Sequence, residues 1–194
     1  MESPKDNISY AQREDLTSQE REAIALYLEN WEYVNDTLRK PKENKEFEEW
    51  QYFPNLIYHI DSAISKSSPG PGRLLFRGIH GDFADRALFC LAISPGSPED
   101  PDCAPVVPHF IRDMGYTSFS GDLDSVLVGK GEGDTGGRTV ILVYKPREGE
   151  NGLNLDERGE VLFPRETVWI TTGYSHRSWM DCRVVFVSID IYGA

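Results

Sequence analysis

The sequence predicts an α+β protein, and three observations carry that prediction. The first third of the 194-residue chain places apolar residues at three- and four-residue steps, which is the period of helices. Turn-forming residues at 67–72 (SSPGPG) then break the pattern. Short apolar runs and alternating apolar and polar residues follow, as in strands. Helices first and strands afterwards favour a largely antiparallel sheet or pair of sheets.

Length and charge limit the organisation and the partners. A chain of 194 residues fits one domain that buries about 70 % of its unfolded surface. We expect a flexible polar lead-in at residues 1–15 and a single domain over 16–194. The net charge of −12 argues against nucleic acid or an anionic membrane as the main partner. A basic protein partner, or an anionic small ligand held by local arginines, stays open.

The cysteines and the apolar runs bear on the compartment. Cys90, Cys103 and Cys182 lie far apart without metal-ligand spacing, which argues against a disulfide framework or a zinc site and favours a reducing compartment. No apolar run approaches the ~20 residues of a membrane span. The polar start lacks the pattern of a signal peptide. We expect synthesis in the cytoplasm, with delivery to a target cell by another route left open.

Two helices are predicted in the first third. Thr17 stands three residues before Glu20, the spacing of a capping box, and Leu16 is placed to staple the start. The first helix should run from about 18 to 39. Its predicted core stripe is Ile24, Tyr27, Leu28, Trp31, Val34 and Leu38. The second should run from Pro54 to about residue 66. Its apolar positions are Leu56, Ile57, Ile60 and Ile64.

The remaining elements are mostly strands. Short helical turns near Phe47 and Trp50 and a helix over 82–93 are also predicted, with a proline-rich loop at 94–108 and a glycine-rich loop at 129–137. The last strand alternates apolar and polar residues with the period of a sheet. The predicted strands are 73–79, 116–120, 139–144, 161–163, 167–171 and 185–191.

Arg77 is the first residue whose type demands an explanation. A guanidinium in an apolar strand needs an anion, because an unpaired buried charge is costly. That anion is either a structural carboxylate or the phosphate or carboxylate of a ligand, and the residue alone does not decide. Gly78 beside it allows a ligand or another backbone to approach.

Two further signals come later in the chain. Ser118 and Ser120 project from the same face of a strand and could orient a side chain and a ligand, or simply form a surface ladder of serines. Glu160 opens a strand, where a carboxylate can face a cleft or just be solvated. The glycine-rich loop carries two acids and no GKS/T ending, so it does not match a phosphate cradle. The four histidines show no metal spacing, and no metal is expected.

In this order, the three signals resemble the arginine–serine–glutamate class of mono-ADP-ribosyltransferases, within the superfamily of bacterial ADP-ribosylating toxins and effectors. The motifs are LFRG at 75–78, GYTSFS at 115–120 and EVLFPR at 160–165. The pattern of residues 16–39 is similar to the amino-terminal helices of toxin members. The resemblance covers about residues 16–192. It implies a two-sheet β core with amino-terminal and flanking helices and a cleft for NAD+.

The resemblance also implies roles for individual residues. Arg77, with Gly78 beside it, would hold the phosphate and ribose side of NAD+. Ser118 would position the catalytic Glu160, with Ser120 supporting the site. Asn35 and Arg39 match helix positions that help to bind NAD+ in the family. The loop at 147–159 corresponds to the family's target-recognition loop.

One departure concerns the acceptor. Many family members carry Glu or Gln two residues before the catalytic glutamate, where this chain has Arg158. Glu157 is one step further back and would project to the opposite side. Arg158 stays protonated and cannot act as a base. Arg158 and Glu157 are therefore the candidates for acceptor recognition, and the usual arginine-directed transfer is in question.

The sequence thus favours an NAD+-dependent mono-ADP-ribosyltransferase that modifies a target protein, as a toxin or injected effector. A neutralising immunity protein is a candidate partner. Two alternatives stay open: an NAD+ glycohydrolase without an acceptor, and a catalytically inactive interaction module of the same fold.

Overall fold

A computed structural model describes residues 9–40, 52–79, 110–128, 138–156, 159–179 and 182–192. Contacts divide the chain into two compact units. The helical unit comprises Met1–Gly72, Asp113–Phe119 and Pro146–Thr167. The sheet unit comprises Arg73–Arg112, Ser120–Lys145 and Val168–Ala194.

The described part of the chain contains three α-helices and eight strands. The helices are α1 (Ser18–Arg39), α2 (Phe53–Ser65) and α3 (Leu123–Val128). The strands are β1 (Leu75–Ile79), β2 (Phe110–Arg112), β3 (Thr117–Phe119), β4 (Arg138–Tyr144), β5 (Leu153–Asn154), β6 (Val161–Phe163), β7 (Val168–Trp179) and β8 (Cys182–Ile191).

The start of α1 shows the predicted capping box. The Glu20 amide donates to Thr17 Oγ1 at 3.2 Å, and the Thr17 amide donates to Glu20 Oε2 at 2.7 Å. Ser62 and Lys66 at the end of α2 also donate to the Glu20 carboxylate. Burial alone would raise the pKa of Glu20, but the hydrogen bonds from Lys66, Ser62 and the Thr17 amide lower it to about 2. This network holds the two helices together, because the carboxylate caps one helix and binds the other.

The predicted core stripe of α1 is wrong in its middle. Leu28 is 36 % exposed and Trp31 is 51 % exposed, while Ile24, Tyr27 and Val34 are buried. The helix is kinked at Asn30, which has φ −130° and ψ 24°. The two exposed positions flank this kink, while the buried face continues on both sides of it.

The core of the helical unit lies between the two helices and a small antiparallel sheet of order β3-β6-β5. Residues from α1 and α2 pack with Tyr116 and with apolar residues of β5 and β6, including Leu153 and Leu162. Phe119 and Phe163 form an edge-to-face pair with centroids 5.6 Å apart. The predicted apolar positions of α2 are all buried.

The sheet unit is built on a five-stranded sheet of order β1-β4-β8-β7-β2. Strands β4 and β8 are parallel, and the other neighbours are antiparallel. Its interior includes an edge-to-face pair of Tyr144 and Trp169, with centroids 5.0 Å apart. The residue pairs along β1 and β4 place Arg77 opposite Leu142 and Gly78 opposite Ile141.

The predicted α+β class with two sheets is confirmed. The structure differs from the prediction in the length of one strand and in several short elements that were not predicted. Strand β7 extends far beyond the predicted 167–171, and β2, β5 and α3 were not predicted. Residues 9–15, predicted as a flexible lead-in, include a 3-10 helix at Tyr10–Gln12. The Ser9 hydroxyl donates to the Leu155 carbonyl at 3.2 Å, and Arg13 donates to the Lys66 carbonyl at 2.9 Å. The helices expected near 47–50 and 82–93 and both predicted loops fall outside the described residues.

Among the described helices, none is long and apolar enough to cross a membrane.

Candidate active site

Glu160 directly precedes β6, the neighbour of β5 in the small sheet. Its carbonyl accepts the Leu155 amide at 2.8 Å, and its amide donates to Asp156 Oδ1 at 2.9 Å. The Gly159 amide donates to the Asp156 carbonyl at 3.3 Å, and Gly159 has φ 88°. Glycine suits this turn, since other residues rarely adopt a positive φ. The backbone of Glu160 is therefore fixed on both sides.

Ser118 lies on the neighbouring strand of the same sheet and on the same face as Glu160. Strand register places Ser118 opposite Leu162, and Glu160 is two residues before Leu162. Residues two apart on a strand share a face, so Glu160 and Ser118 are diagonal neighbours. The Ser118 hydroxyl forms a hydrogen bond with the Glu160 carboxylate. Two of the predicted catalytic residues are thus in contact within the helical unit.

The environment of Glu160 shifts its acidity in two directions. Burial raises the pKa of Glu160, and the negative charge of Asp156 raises it further, while the hydrogen bond from Ser118 lowers it. The net result is a pKa above the ordinary value of 4.5. A glutamate with a raised pKa and a hydroxyl that favours its ionised form is a usual arrangement for a catalytic carboxylate.

Asn35 and Arg39, on the last part of α1, contact the segment before Ser118. Arg39 forms a bidentate pair with Asp113, with Nε–Oδ1 at 2.8 Å and Nη2–Oδ2 at 2.9 Å. Asn35 Oδ1 accepts the Tyr116 amide at 2.8 Å. The hydrogen bonds that Arg39 donates to the Asp113 carboxylate raise the pKa of Arg39. In this structure both predicted NAD+ ligands therefore bind atoms of the protein itself.

The sheet unit carries the other predicted residues. Arg77 is half-buried on β1, with Gly78 beside it. The backbone of Ser120 forms two hydrogen bonds with Phe76, both of 2.8 Å. The Ser120 hydroxyl accepts the Asp122 amide at 3.0 Å and lies 3.2 Å from Ser125 Oγ, at the start of α3. In the sheet unit, Ser120 thus connects β1 to the beginning of a helix.

Two residues matter here that the sequence did not single out. Asp156 anchors the backbone of Glu160, and Asp113 pairs with Arg39. An aspartate three residues before a glycine, as in Asp156 and Gly159, is a turn signal that could have identified the first. Asp113 carries no comparable local signal, since its partner is 74 residues away. The predicted acceptor residues Glu157 and Arg158 lie outside the described residues.

Within the described ranges, no group of three or more His, Cys, Asp and Glu side chains is placed to hold a metal ion.

Comparison with known proteins identifies the class of fold. Residues 5–87 match the sequence model of the ADP-ribosyltransferase exoenzyme family. That stretch contains Asn35, Arg39, Arg77 and Gly78, and it ends before Ser118 and Glu160. A search of curated proteins finds no match.

Three solved structures show the same fold over nearly the whole chain. Plx2a, an ADP-ribosyltransferase toxin from Paenibacillus larvae, matches with a TM-score of 0.62 and 17 % identity, covering 92 % of this chain and 88 % of that one. C3stau2 from S. aureus, solved with NAD, matches with a TM-score of 0.61 and 16 % identity, covering 91 % and 89 %. The Clostridium limosum C3 exoenzyme matches with a TM-score of 0.60 and 17 % identity, covering 91 % and 87 %.

The chain therefore has the fold of the C3-type bacterial ADP-ribosylating toxins. The resemblance to the mono-ADP-ribosyltransferases of the toxin superfamily, predicted from the motifs, is confirmed by the family match and by these structures.

Proposed function

We propose that the protein is a mono-ADP-ribosyltransferase that cleaves the bond between nicotinamide and ribose in NAD+ and transfers ADP-ribose to a target protein. The observation that carries the proposal is the half-buried Glu160 carboxylate, hydrogen-bonded to Ser118, in a chain with the fold of ADP-ribosylating toxins. NAD+ is the co-substrate, and the chemistry requires no metal.

The contact between Glu160 and Ser118 suits the transition state of this reaction. Loss of nicotinamide builds positive charge on the ribose, as in glycoside cleavage. An ionised carboxylate on the ribose 2′-hydroxyl stabilises that charge as it develops, so it binds the transition state more tightly than the ground state. Ser118 favours the ionised form of Glu160 and orients it. Nicotinamide departs as a neutral molecule, so no general acid is needed.

The other predicted residues receive roles by resemblance. Arg77 binds the phosphate side of NAD+, since a planar guanidinium matches phosphate oxygens. Gly78 allows close approach of NAD+, and Ser120 supports the site. Asn35 and Arg39 contribute to NAD+ binding. Glu157 and Arg158 face the acceptor. The role of Arg77 is tested by the KM for NAD+, which should rise about tenfold or more in Arg77→Ala.

Hydrolysis without a protein acceptor is the second candidate function. The observation in its favour is Arg158, which stands where the family usually has an acid or amide that engages the acceptor. Arg158 cannot deprotonate an acceptor at neutral pH. Either function fits a toxin or effector that is secreted or injected into a target cell, where a partner immunity protein would protect the producer.

Labelling with radioactive NAD+ distinguishes these functions. Purified protein is incubated with NAD+ labelled in the adenylate and with a cell lysate, and label is followed in protein and in free ADP-ribose. Transfer predicts a labelled protein band, whereas hydrolysis predicts label in free ADP-ribose alone. Label in neither fraction would contradict both functions and support an inactive interaction module.

The variant Glu160→Gln, which keeps the shape but not the charge, should lower the rate of NAD+ cleavage about 100-fold or more. Glu29→Gln is the matched control, because Glu29 is an exposed acid on α1. It should cleave NAD+ at the wild-type rate.

A further inference from the structure

The segment 113–117, which leads into Ser118, is held by hydrogen bonds to side chains. Asp113 is 5 % exposed, and its carboxylate receives both nitrogens of the Arg39 fork. The same carboxylate accepts the Gly115 amide at 3.0 Å and lies 3.4 Å from the Thr117 hydroxyl. The Asp113 amide donates to the Thr167 carbonyl at 3.3 Å. One buried carboxylate therefore ties α1 to three positions of this segment.

Asn35 adds a second connection from α1. Its Oδ1 accepts the Tyr116 amide at 2.8 Å, and its Nδ2 donates to the Tyr27 hydroxyl at 3.0 Å. Asn35 is 3 % exposed, so both bonds form away from water and are costly to lose. A Cβ atom added at Gly115 would lie 2.7 Å from Asn35 Oδ1 and 3.3 Å from Arg39 Nε. Glycine at this position therefore leaves room for Asn35 to reach the Tyr116 amide and for Arg39 to reach the Asp113 carboxylate.

The side chain of Tyr116 is held at its far end. Its hydroxyl donates to Asp61 Oδ1 at 2.8 Å, and Asp61 Oδ2 accepts Arg165 Nε at 2.9 Å. Its ring packs edge-on against Tyr27, with centroids 5.4 Å apart. The residue two positions before Ser118 is thus fixed through both its amide and its ring.

We propose that Asn35, Arg39 and Asp113 act as positioning residues, which hold the segment 113–117 so that Ser118 stays in hydrogen-bonding position to Glu160. The inference rests on the proposed function of Glu160, and it assigns to Asn35 and Arg39 a task inside the protein beyond contact with NAD+. The geometry supports it because the side-chain hydrogen bonds of Asn35 and of the Arg39 fork end on Tyr27 or on this segment. Two charged or amide side chains with buried partners have little freedom to change them.

The acidity of Glu160 reports whether Ser118 is in position. Among the described residues, Asp156 and Ser118 are the groups that shift the pKa of this carboxyl besides burial, and Ser118 lowers it. Loss of the Ser118 hydrogen bond must therefore raise the pKa of Glu160. A role of Arg39 limited to NAD+ binding would leave the acidity of Glu160 in the free protein unchanged.

The test is a carboxyl-carbon NMR titration of Glu160 in the full chain, with no NAD+ present. Ser118→Ala sets the size of the effect. Asp113→Asn and Asn35→Ala should lower the ionisation constant of Glu160 in the same direction, by about threefold to tenfold. Arg39→Lys, which keeps the charge but loses the fork, is the milder variant in case Asp113→Asn does not fold. Lys66→Gln is the control, because it breaks the ion pair with Glu20 in the same unit without touching the segment.

Kinetics provide a second readout. The three positioning variants should lower kcat for NAD+ cleavage, and the acidic limb of the kcat profile should move to higher pH, as in Ser118→Ala. Unchanged acidity of Glu160 in folded Asp113→Asn, Asn35→Ala and Arg39→Lys, or a change equal to that in Lys66→Gln, would overturn the inference. If the wild type does not cleave NAD+, the proposed function fails, and the titration still decides whether the three residues position Ser118.

Discussion

The two units of the molecule hold their candidate catalytic residues by different means. In the helical unit, the side chains of Asp156, Asp113 and Asn35 accept hydrogen bonds from the backbone amides of Glu160 and of the segment before Ser118. In the sheet unit, Arg77 lies in the backbone ladder between β1 and β4. A ladder tolerates most side-chain changes, whereas a network of buried side chains fails when one member is lost. Substitutions in the sheet unit should therefore leave the acidity of Glu160 unchanged even where they lower stability, whereas substitutions in the side-chain network of the helical unit should be able to alter that acidity.

The largest effect on stability should come from the sheet unit. Leu142 is 1 % exposed and lies opposite Arg77 in the ladder. Leu142→Ala should cost about 2–5 kcal/mol, because it removes apolar contacts and leaves a cavity. Urea denaturation measures this loss. The pKa of Glu160 in the folded protein should not change, since the contacts described for its carboxylate come from the helical unit. A shifted pKa would show that the difference between the units is not real.

Gly115→Ala, in the helical unit, should lower stability less than Leu142→Ala but should change the pKa of Glu160. The added Cβ atom would meet Asn35 Oδ1 at 2.7 Å, which is too close for a Cβ contact, so the Asn35 amide or the segment must shift. We expect a loss of stability of about 1–3 kcal/mol from this overpacking. NAD+ cleavage should fall at the same time, with a rise in the pKa of Glu160. A variant with full activity and unchanged pKa would mean that the contact relaxes without moving Ser118.

Tyr116→Phe separates the ring of Tyr116 from its hydroxyl. The change removes the hydrogen bond to Asp61 and leaves that carboxylate with Arg165. Loss of a buried hydrogen bond to a charged group should cost about 1–2 kcal/mol in the free energy of unfolding. Activity should be largely retained, because the amide of Tyr116 still binds Asn35. Thermal unfolding measures the loss of stability, and an assay of NAD+ cleavage measures the retained activity. A loss of activity larger than the loss of folded protein would contradict the expectation.

Asp156→Asn should produce the smallest effect, and its sign is specific. The negative charge of Asp156 raises the pKa of Glu160, so asparagine should lower it. An asparagine oxygen can still accept the Glu160 amide, which keeps the backbone of Glu160 in place. The acidic limb of the rate profile should therefore move to lower pH, by less than about one pH unit. This is the direction opposite to Ser118→Ala, and a shift to higher pH would mean that Asp156 acts mainly through the backbone.

The sequence predicts those parts of the fold that depend on local pattern. The start of α1 follows from the capping box of Thr17 and Glu20, and β6 follows from the apolar run after Glu160. The exposure of Trp31 was not predicted, because Trp31 follows the kink at Asn30, and the apolar pattern gives no sign of that kink. Strand β5 has only two residues, too few to show alternation.

In the candidate site, too, the sequence predicts some residues and misses some of the contacts. Ser118 and Glu160 were predicted by resemblance, and strand register explains their contact. The hydrogen bonds of Asn35 to Tyr116 and of Arg39 to Asp113 were not predicted, because these partners lie 81 and 74 residues further along the chain, respectively. Contacts of that kind depend on tertiary packing, which no local pattern encodes.

The most direct test of the central claim is the rate of nicotinamide release from NAD+ as a function of pH, in the wild type and in Glu160→Gln. If ionised Glu160 stabilises the ribose cation, the wild-type rate should rise with pH through a pKa above the ordinary value of 4.5. That rise should be absent from Glu160→Gln, and the rate of nicotinamide release should be lower than in the wild type by about 100-fold or more. A Glu160→Gln protein that releases nicotinamide at the wild-type rate would contradict the account.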